Sequence, residues 1–294
     1  MSIIEKLNKN GLLAGAPECV LRPEYEVIGG STSYGVTSNS SDIDIVSICL
    51  PDKNELFPHL TGKVAGFYPS PAPFENWQRH HIQWQPGTAQ AKEYDVASYS
   101  IVPFFKLAAE NNPNIIDSLF VPDRCVSHQT DIGRLLRQNR QKFLSLACFP
   151  KFRGYALSQM KRIKTFKPVG KRAELVDNFG YDVKFAYHTI RLADEVKQIL
   201  LKGDLNLEEN REELKDIRAG SWSFEKFDSE FERRLVQLDD LYLTSKLRRE
   251  PDWNELNKLL LVCLEIRYGS LSAMVDNSSE AQAKLDRISQ ILKE

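Results

Sequence analysis

The segment Asp42-Ile43-Asp44-Ile45 restricts the folds open to this chain more than any other. On a strand, side chains alternate, so Asp42 and Asp44 share one face while Ile43 and Ile45 bury the other. Residues two apart on a strand are separated by roughly 6–7 Å at the backbone. Carboxylates at that spacing can converge on the ~3.5–4 Å separation of a two-metal site. Without a cation the pair repels itself; Mg²⁺ (or Mn²⁺), bound through carboxylates, water and substrate phosphate oxygens, gives it a reason to exist. Upstream, Tyr25 to Ile28 read as a short strand running into Gly29-Gly30-Ser31, and ten residues separate Ser31 from Asp42. A glycine-glycine-serine turn opening a short helix lets the backbone approach a phosphate closely. Gly30, Ser31 and Ser33 are therefore expected to hold a triphosphate tail beside the acidic strand.

The rest of the chain falls into two patterns. Strand signals dominate up to about residue 96, with Asp42 to Leu50 and Lys92 to Val96 following the first strand. Residues 52–90, rich in Pro, Gly and His, read as loops and a hairpin. Helical spacing begins at Tyr99 and continues through 131–148, 152–166, 173–202, 208–218, 223–247 and 252–273, divided by Pro and Gly. Strands first and helices afterwards predict an α+β fold, a small mixed-sheet head at 1–125 and an all-α body at 126–294. Five widely spaced cysteines without a CxxC pair fit reduced thiols. The opening residues lack the apolar stretch of a signal peptide, and no run reaches the ~18–20 apolar residues of a membrane span. A cytoplasmic protein with no membrane partner is the expectation.

Formal net charge is only −1, yet residues 132–172 hold twelve Lys and Arg and no Asp or Glu. Such a run is either a solvated helix face or an anion-binding surface for polyphosphate or RNA. Other motifs count for less. His80 and His81 are adjacent and diverge on regular structure, and no GxxxxGK[ST] loop is present.

Gly30-Ser31 followed by Asp42-Ile43-Asp44 resembles the signature of the DNA-polymerase-beta-type nucleotidyltransferase superfamily. Asp95-Val-Ala-Ser-Tyr-Ser and the residues through Phe120, together with Gly180-Tyr-Asp-Val-Lys-Phe-Ala-Tyr-His-Thr-Ile-Arg-Leu192, resemble its RNA-ligase-associated, RlaP-like group. The likeness runs from about residue 25 to 265, with 57–90 as an insertion-like departure. It implies a third metal-binding carboxylate on a later strand, Asp95 or its neighbour Glu93, with Asp95 preferred. Lys184, His188 and Arg191 stand at i, i+4 and i+7 on a helix and so share one face. The resemblance makes them candidates for clamping the β- and γ-phosphates.

The expected activity is transfer of a nucleoside monophosphate from an NTP, with ATP the expected triphosphate, to an acceptor hydroxyl. Asp42, Asp44 and Asp95 would be the catalytic and metal-binding acids, and pyrophosphate would leave. The acceptor is RNA, a protein side chain or a small molecule. A silent nucleotide-sensing or protein-binding module of the same fold is the alternative.

Overall fold

The computed structural model describes residues 1–37, 42–57, 73–165 and 169–269, with Arg287 and Gln290 besides. It is an α+β fold. The chain enters through α1 (Ile3–Lys9), whose N-terminus is closed by a capping box between Ser2 and Glu5. The next strand, β1 (Tyr25–Ile28), carries the buried Glu26, which accepts the Ile3 and Ile4 N–H groups at 2.6 and 2.8 Å. A buried carboxylate is tolerable there because it meets orphan N–H donors at the positive end of a helix.

Four further strands complete one sheet: β2 (Ile43–Cys49), β3 (Asn76–Trp84), β4 (Lys92–Ser100) and β5 (Val126–Gln129). Their order is β3-β4-β2-β1-β5, with β2 and β4 parallel and the other pairs antiparallel. Alternation along the strands divides the side chains as the acidic strand predicts. Ile45, Tyr94, Val96 and Ile82 form a small core with Ile4 and Leu7 of α1. Ile48 faces the larger core shared with the helices, and Val46 and Tyr99 pack against it.

The helices follow a short α2 (Gly30–Ser33) and α3 (Lys53–Leu56) in the head. α4 (Ile101–Ala109) and α5 (Pro113–Phe120) come directly after β4, with Pro113 opening α5 and Asn112 capping it. Helical structure then continues through α6 (Asp131–Gln138), α7 (Cys148–Thr165), α8 (Lys171–Phe179) and α9 (Val183–Lys202). The last elements are α10 (Arg211–Arg218), α11 (Phe224–Thr244) and α12 (Trp253–Tyr268).

The expected helix over 173–202 is two helices. Gly180 takes a left-handed φ of 81° and ends α8, and Asp182 caps α9 by accepting the Lys184 and Phe185 N–H groups. α9 is buried on nearly every side because α7, α10 and α11 pack around it. Each buried Ile or Leu there contributes about 1.5–3 kcal/mol by leaving water. The expected division after residue 125 falls between a 3₁₀ turn (Asp123–Cys125) and β5, whose pairing with β1 carries the sheet a few residues further along the chain. No described helix is long and apolar enough to cross a membrane. All five cysteines are free.

Candidate active site

Parallel pairing of β2 with β4 sets Asp44 directly beside Asp95 in the register. Both project to the face that meets the helical body, because Asp44 lies in phase with Val46 and Ile48, and Asp95 with Ala97 and Tyr99. Burial first, then the charge of Asp95, pushes the Asp44 carboxyl above the usual carboxylate range. Asp42 pushes the same way, while Lys184 and His80 draw it back.

Gly30 lies against this carboxylate. Its φ is +56°, and a Cβ there would stand 2.8 Å from Asp44 Cγ and closer still to Oδ2. Two separate constraints thus demand glycine: the left-handed backbone and the occupied space. The neighbouring Gly29 N–H donates to the Asp44 carbonyl at 2.8 Å, which ties the turn to the strand. Ser33 is buried, and its hydroxyl donates to the Gly30 carbonyl at 2.9 Å. It stabilises the turn.

The opposite side of Asp95 is held by a bulge. Between Arg79 and Ile82 the β3–β4 register shifts, so His80 and His81 together face the single residue Asp95. The His81 N–H donates to Asp95 Oδ1 at 2.8 Å, and His80 Nδ1 lies 3.3 Å from Oδ2. His81 adopts φ 57° and pairs through its ring with Glu93. The divergence expected of adjacent histidines on a regular strand does not occur, since the bulge bends both toward the acids. Of the insertion-like stretch 57–90, residues 58–72 lie outside the described residues.

One cavity of about 340 Å³ joins these groups to the helical body. Gly30, Ser33, Asp44, Asp95, His188 and Arg191 all line it. Ser31 and Asp42 are half-buried beside it, and Lys184 is exposed. His188 sits among cations. Burial, and then the fields of Arg191, Lys184, Arg172 and Arg218, hold its imidazole well below the usual range. Arg172, the last residue of the basic run, and Arg218, which no sequence pattern marks, act on His188 from the separate helices α8 and α10.

Arg191 is already engaged. Its Nη1 donates to Asp117 Oδ2 at 2.5 Å, to Glu195 Oε1 at 2.9 Å, and to the Tyr34 hydroxyl. Two carboxyl groups face one guanidinium, so this cluster offers no net positive charge to a phosphate.

The basic run is also largely partnered. Arg134, Arg137, Lys142, Lys151, Arg153, Lys164 and Arg172 lie within ion-pair distance of Asp131, Asp123, Glu255, Glu110, Asp239, Asp228 and Asp182. Lys167 and the side chain of Lys171 lie outside the described residues. The segment's charge is therefore spent mostly on docking helices to one another.

The donor set fits a hard divalent cation in a limited sense. Among the described residues no group of three or more His, Cys, Asp or Glu side chains is gathered tightly enough to hold a metal ion alone. Asp44 and Asp95 are register neighbours, and burial followed by the charge of Asp95 raises the Asp44 carboxyl; Mg²⁺ is commonly held by one or two carboxylates with phosphate oxygens and water completing its shell.

A model of the RNA repair pathway DNA polymerase beta family, RlaP, matches residues 21–262. An uncharacterized 38.9 kDa protein of Enterobacteria phage T4, from its nrdC-mobD intergenic region, is 28% identical over 120 residues, 39% of this chain. The match covers 31% of the phage protein, so this chain spans about a third of the relative's length. Among solved structures, a nucleotidyltransferase-like protein from Exiguobacterium sibiricum is 10% identical, with 97% of this chain and 87% of that one covered and a TM-score of 0.28.

Proposed function

Because this chain belongs to the RNA repair pathway DNA polymerase beta family, we propose that it is a metal-dependent nucleotidyltransferase that moves an NMP from an NTP to an acceptor hydroxyl. The observation that carries the reading is the register pairing of Asp44 with Asp95 over a turn whose Gly30 leaves no room for a side chain. That arrangement concentrates negative charge where a backbone turn can admit a phosphate.

Asp44 and Asp95, with Asp42 beside them, would hold Mg²⁺ or Mn²⁺. The cation when bound supplies charge neutralisation for the attacking and leaving oxygens. The chain's own groups do the positioning. Gly29 and Gly30 bring backbone to the phosphate tail, and the Ser31 hydroxyl is available beside them. Lys184, with Arg218 near it, makes the surroundings of His188 positive, which would draw the β- and γ-phosphates away from the acids and leave the α-phosphorus facing them. The acceptor oxygen then bonds to the α-phosphorus, and the bond to the bridging oxygen breaks. Pyrophosphate leaves, and the hydroxyl proton passes to a carboxylate or to water.

The family's description places its members in RNA repair, which favours an RNA end as acceptor. Recognition of that RNA is not assigned to residues 132–172, given their ion pairing. The test is incubation with each of four NTPs labelled at the α-phosphate, with Mg²⁺ or Mn²⁺, and with RNA, protein or small-molecule fractions of an extract. Label transferred to an acceptor by the wild type and not by Asp44→Asn supports the reading. Absence of transfer from any of the four overturns it.

A further inference from the structure

The glycine-serine turn is fixed on two sides. On the sheet side the Gly29 N–H meets the Asp44 carbonyl. On the other side the residues that follow Ser31, Thr32 to Val36, form a strap that sends Tyr34 and Val36 into the larger core. The Val36 N–H donates to the Ser31 carbonyl at 3.0 Å, and the Gly35 N–H donates to the Thr32 carbonyl at 3.2 Å. A shift of the strap therefore carries the turn with it.

Three arginines from three separate elements hold alternate residues of this strap. Arg124, in the 3₁₀ turn Asp123–Cys125, donates from Nη1 to the Thr32 carbonyl at 3.1 Å. Arg191 of α9 donates to the Tyr34 hydroxyl, and its guanidinium lies 4.2 Å from the centre of that ring. Arg218, at the end of α10, donates from Nη1 to the Val36 carbonyl at 2.5 Å. Gly35 leaves no room for a side chain, because a Cβ there would stand 2.5 Å from Arg211 Cδ and 3.1 Å from Glu208 Oε1.

Arg124 reaches the turn from outside the cavity, since neither it nor Thr32 lines that space. Its Nη2 donates to Glu208 Oε1 at 2.6 Å, the same carboxylate oxygen that stands against Gly35. One guanidinium thus joins the Thr32 carbonyl to the residues that lead into α10. A planar guanidinium held at two nitrogens has its direction set as well as its distance.

We infer that Arg124, aimed by Glu208, is a positioning residue for nucleotidyl transfer: it fixes the strap Thr32–Val36 and through it holds Gly30 and Ser31 beside the Asp44–Asp95 pair. The inference rests on the nucleotidyltransferase reading and gives a task to two residues that touch no substrate. Without the clamp, the phosphate tail must order the turn as it binds, and that ordering lowers affinity. Once the tail is seated the reacting atoms are placed as before, so the loss falls on KM rather than on kcat.

A charge felt at a distance would leave a different pattern. Arg124 is a cation and Glu208 an anion, so through their fields alone the loss of one would weaken a polyphosphate and the loss of the other would tighten it. Positioning weakens both, because each variant opens the same clamp.

The test measures equilibrium binding of inorganic tripolyphosphate with Mg²⁺, and kcat and KM for the NTP that the wild type uses. It is made on the full chain, Arg124→Ala, Glu208→Ala and the double variant, each checked by circular dichroism. Each single variant should weaken tripolyphosphate and raise KM about 5-fold while kcat stays within about 2-fold. The double variant should lie within about 2-fold of Arg124→Ala, since the clamp can be lost only once. Tighter tripolyphosphate binding by Glu208→Ala, unchanged affinity in Arg124→Ala, or losses that multiply in the double variant overturn the inference. The two side chains are 47% and 27% exposed, so their truncation spares the core; if Glu208→Ala still loses its folded spectrum, Arg124→Ala decides by the same limits. Wild-type protein that binds tripolyphosphate and transfers label, with both variants unchanged, overturns the positioning role alone. Wild-type protein that does neither overturns the nucleotidyltransferase reading as well.

Discussion

The main-chain N–H of His81 donates to Asp95 Oδ1 at 2.8 Å while the His80 ring stands 3.3 Å from Oδ2 of the same carboxylate. Both oxygens are thus addressed by one bulge on the neighbouring strand. A carboxylate in a parallel strand beside another carboxylate would otherwise swing away to relieve repulsion. The bulge holds it in place, and it does so largely through backbone.

That division between backbone and side chain can be measured. His81→Gly keeps the N–H and removes a non-glycine residue from φ 57°, so kcat should stay within about 3-fold. Stability should hold or rise by about 0.5–1 kcal/mol. His80→Ala removes a side-chain contact with Asp95, and kcat should fall about 10-fold with the KM for NTP little changed. His80→Asn, whose amide can still donate, should restore part of the loss. Steady-state kinetics with thermal melts on all three variants check this, and a His81→Gly enzyme as inactive as Asp95→Asn would contradict it.

Gly30→Ala should be among the most damaging single-methyl changes in the chain. The backbone strain alone costs about 1–3 kcal/mol, and the new Cβ displaces the Asp44 carboxylate from the turn. Transfer should become undetectable. Asp44→Gly in the same chain removes the steric conflict but not the strain. Denaturant unfolding of both single variants and the double should therefore show a coupling of about 0.5–3 kcal/mol. Strict additivity would mean the two residues do not meet.

The head was legible wherever local pattern and chemistry agreed. Asp42 to Ile45 had both alternation and paired acids, and the turn at Gly29-Gly30 is where the strand ends. Strand β5, Val-Ser-His-Gln, escaped notice because four half-buried residues carry no alternation; its pairing with β1 is decided by tertiary contact. The bulge was hidden for another reason: His80 and His81 look divergent on an ideal strand, and nothing local signals a shifted register. Periodicity shows only part of the surroundings of Arg191. Its spacing from Lys184 and His188 is correct for one face, but Asp117, 74 residues away, and Tyr34, 157 residues away, claim its guanidinium. The basic run is similar, since its counter-charges come from Glu110, Asp228, Asp239 and Glu255, all outside it. Exposed pairs of that kind are worth about 0–1 kcal/mol each.

His188 provides a pH signature. Its folded pKa is held well below 6.5, so below the unfolded value the unfolded chain carries a proton that the native imidazole refuses. The unfolded state then binds more protons, and stability falls as pH drops from about 7 toward 5. His188→Gln removes that group, and its stability should decline less over the same interval. NMR titration should show the His188 imidazole staying neutral well below the usual histidine range. Tripolyphosphate, by screening Lys184, Arg172 and Arg218, should move that titration upward. An unmoved imidazole would place the phosphate tail elsewhere.

Asp44 gives the opposite sign. Burial and Asp95 raise its folded pKa above the unfolded value, so the native state binds more protons through that interval and stability decreases as pH rises across it. Above both values the whole penalty is present in metal-free protein. Asp44→Asn keeps the shape and deletes the charge, so at neutral pH with chelator it should melt higher than wild type. The gain should shrink on acidification as wild-type Asp44 becomes protonated. Transfer should meanwhile fall by about 10³-fold or more. Adding Mg²⁺ should raise the melting temperature of wild type and leave the variant almost unmoved, because the carboxylate pair that attracts the cation has lost one member. A variant that is inactive and also less stable than wild type at neutral pH would identify Asp44 as a structural acid; inactive yet more stable is the pattern of a residue held in an unfavourable state for the cation and phosphate it receives.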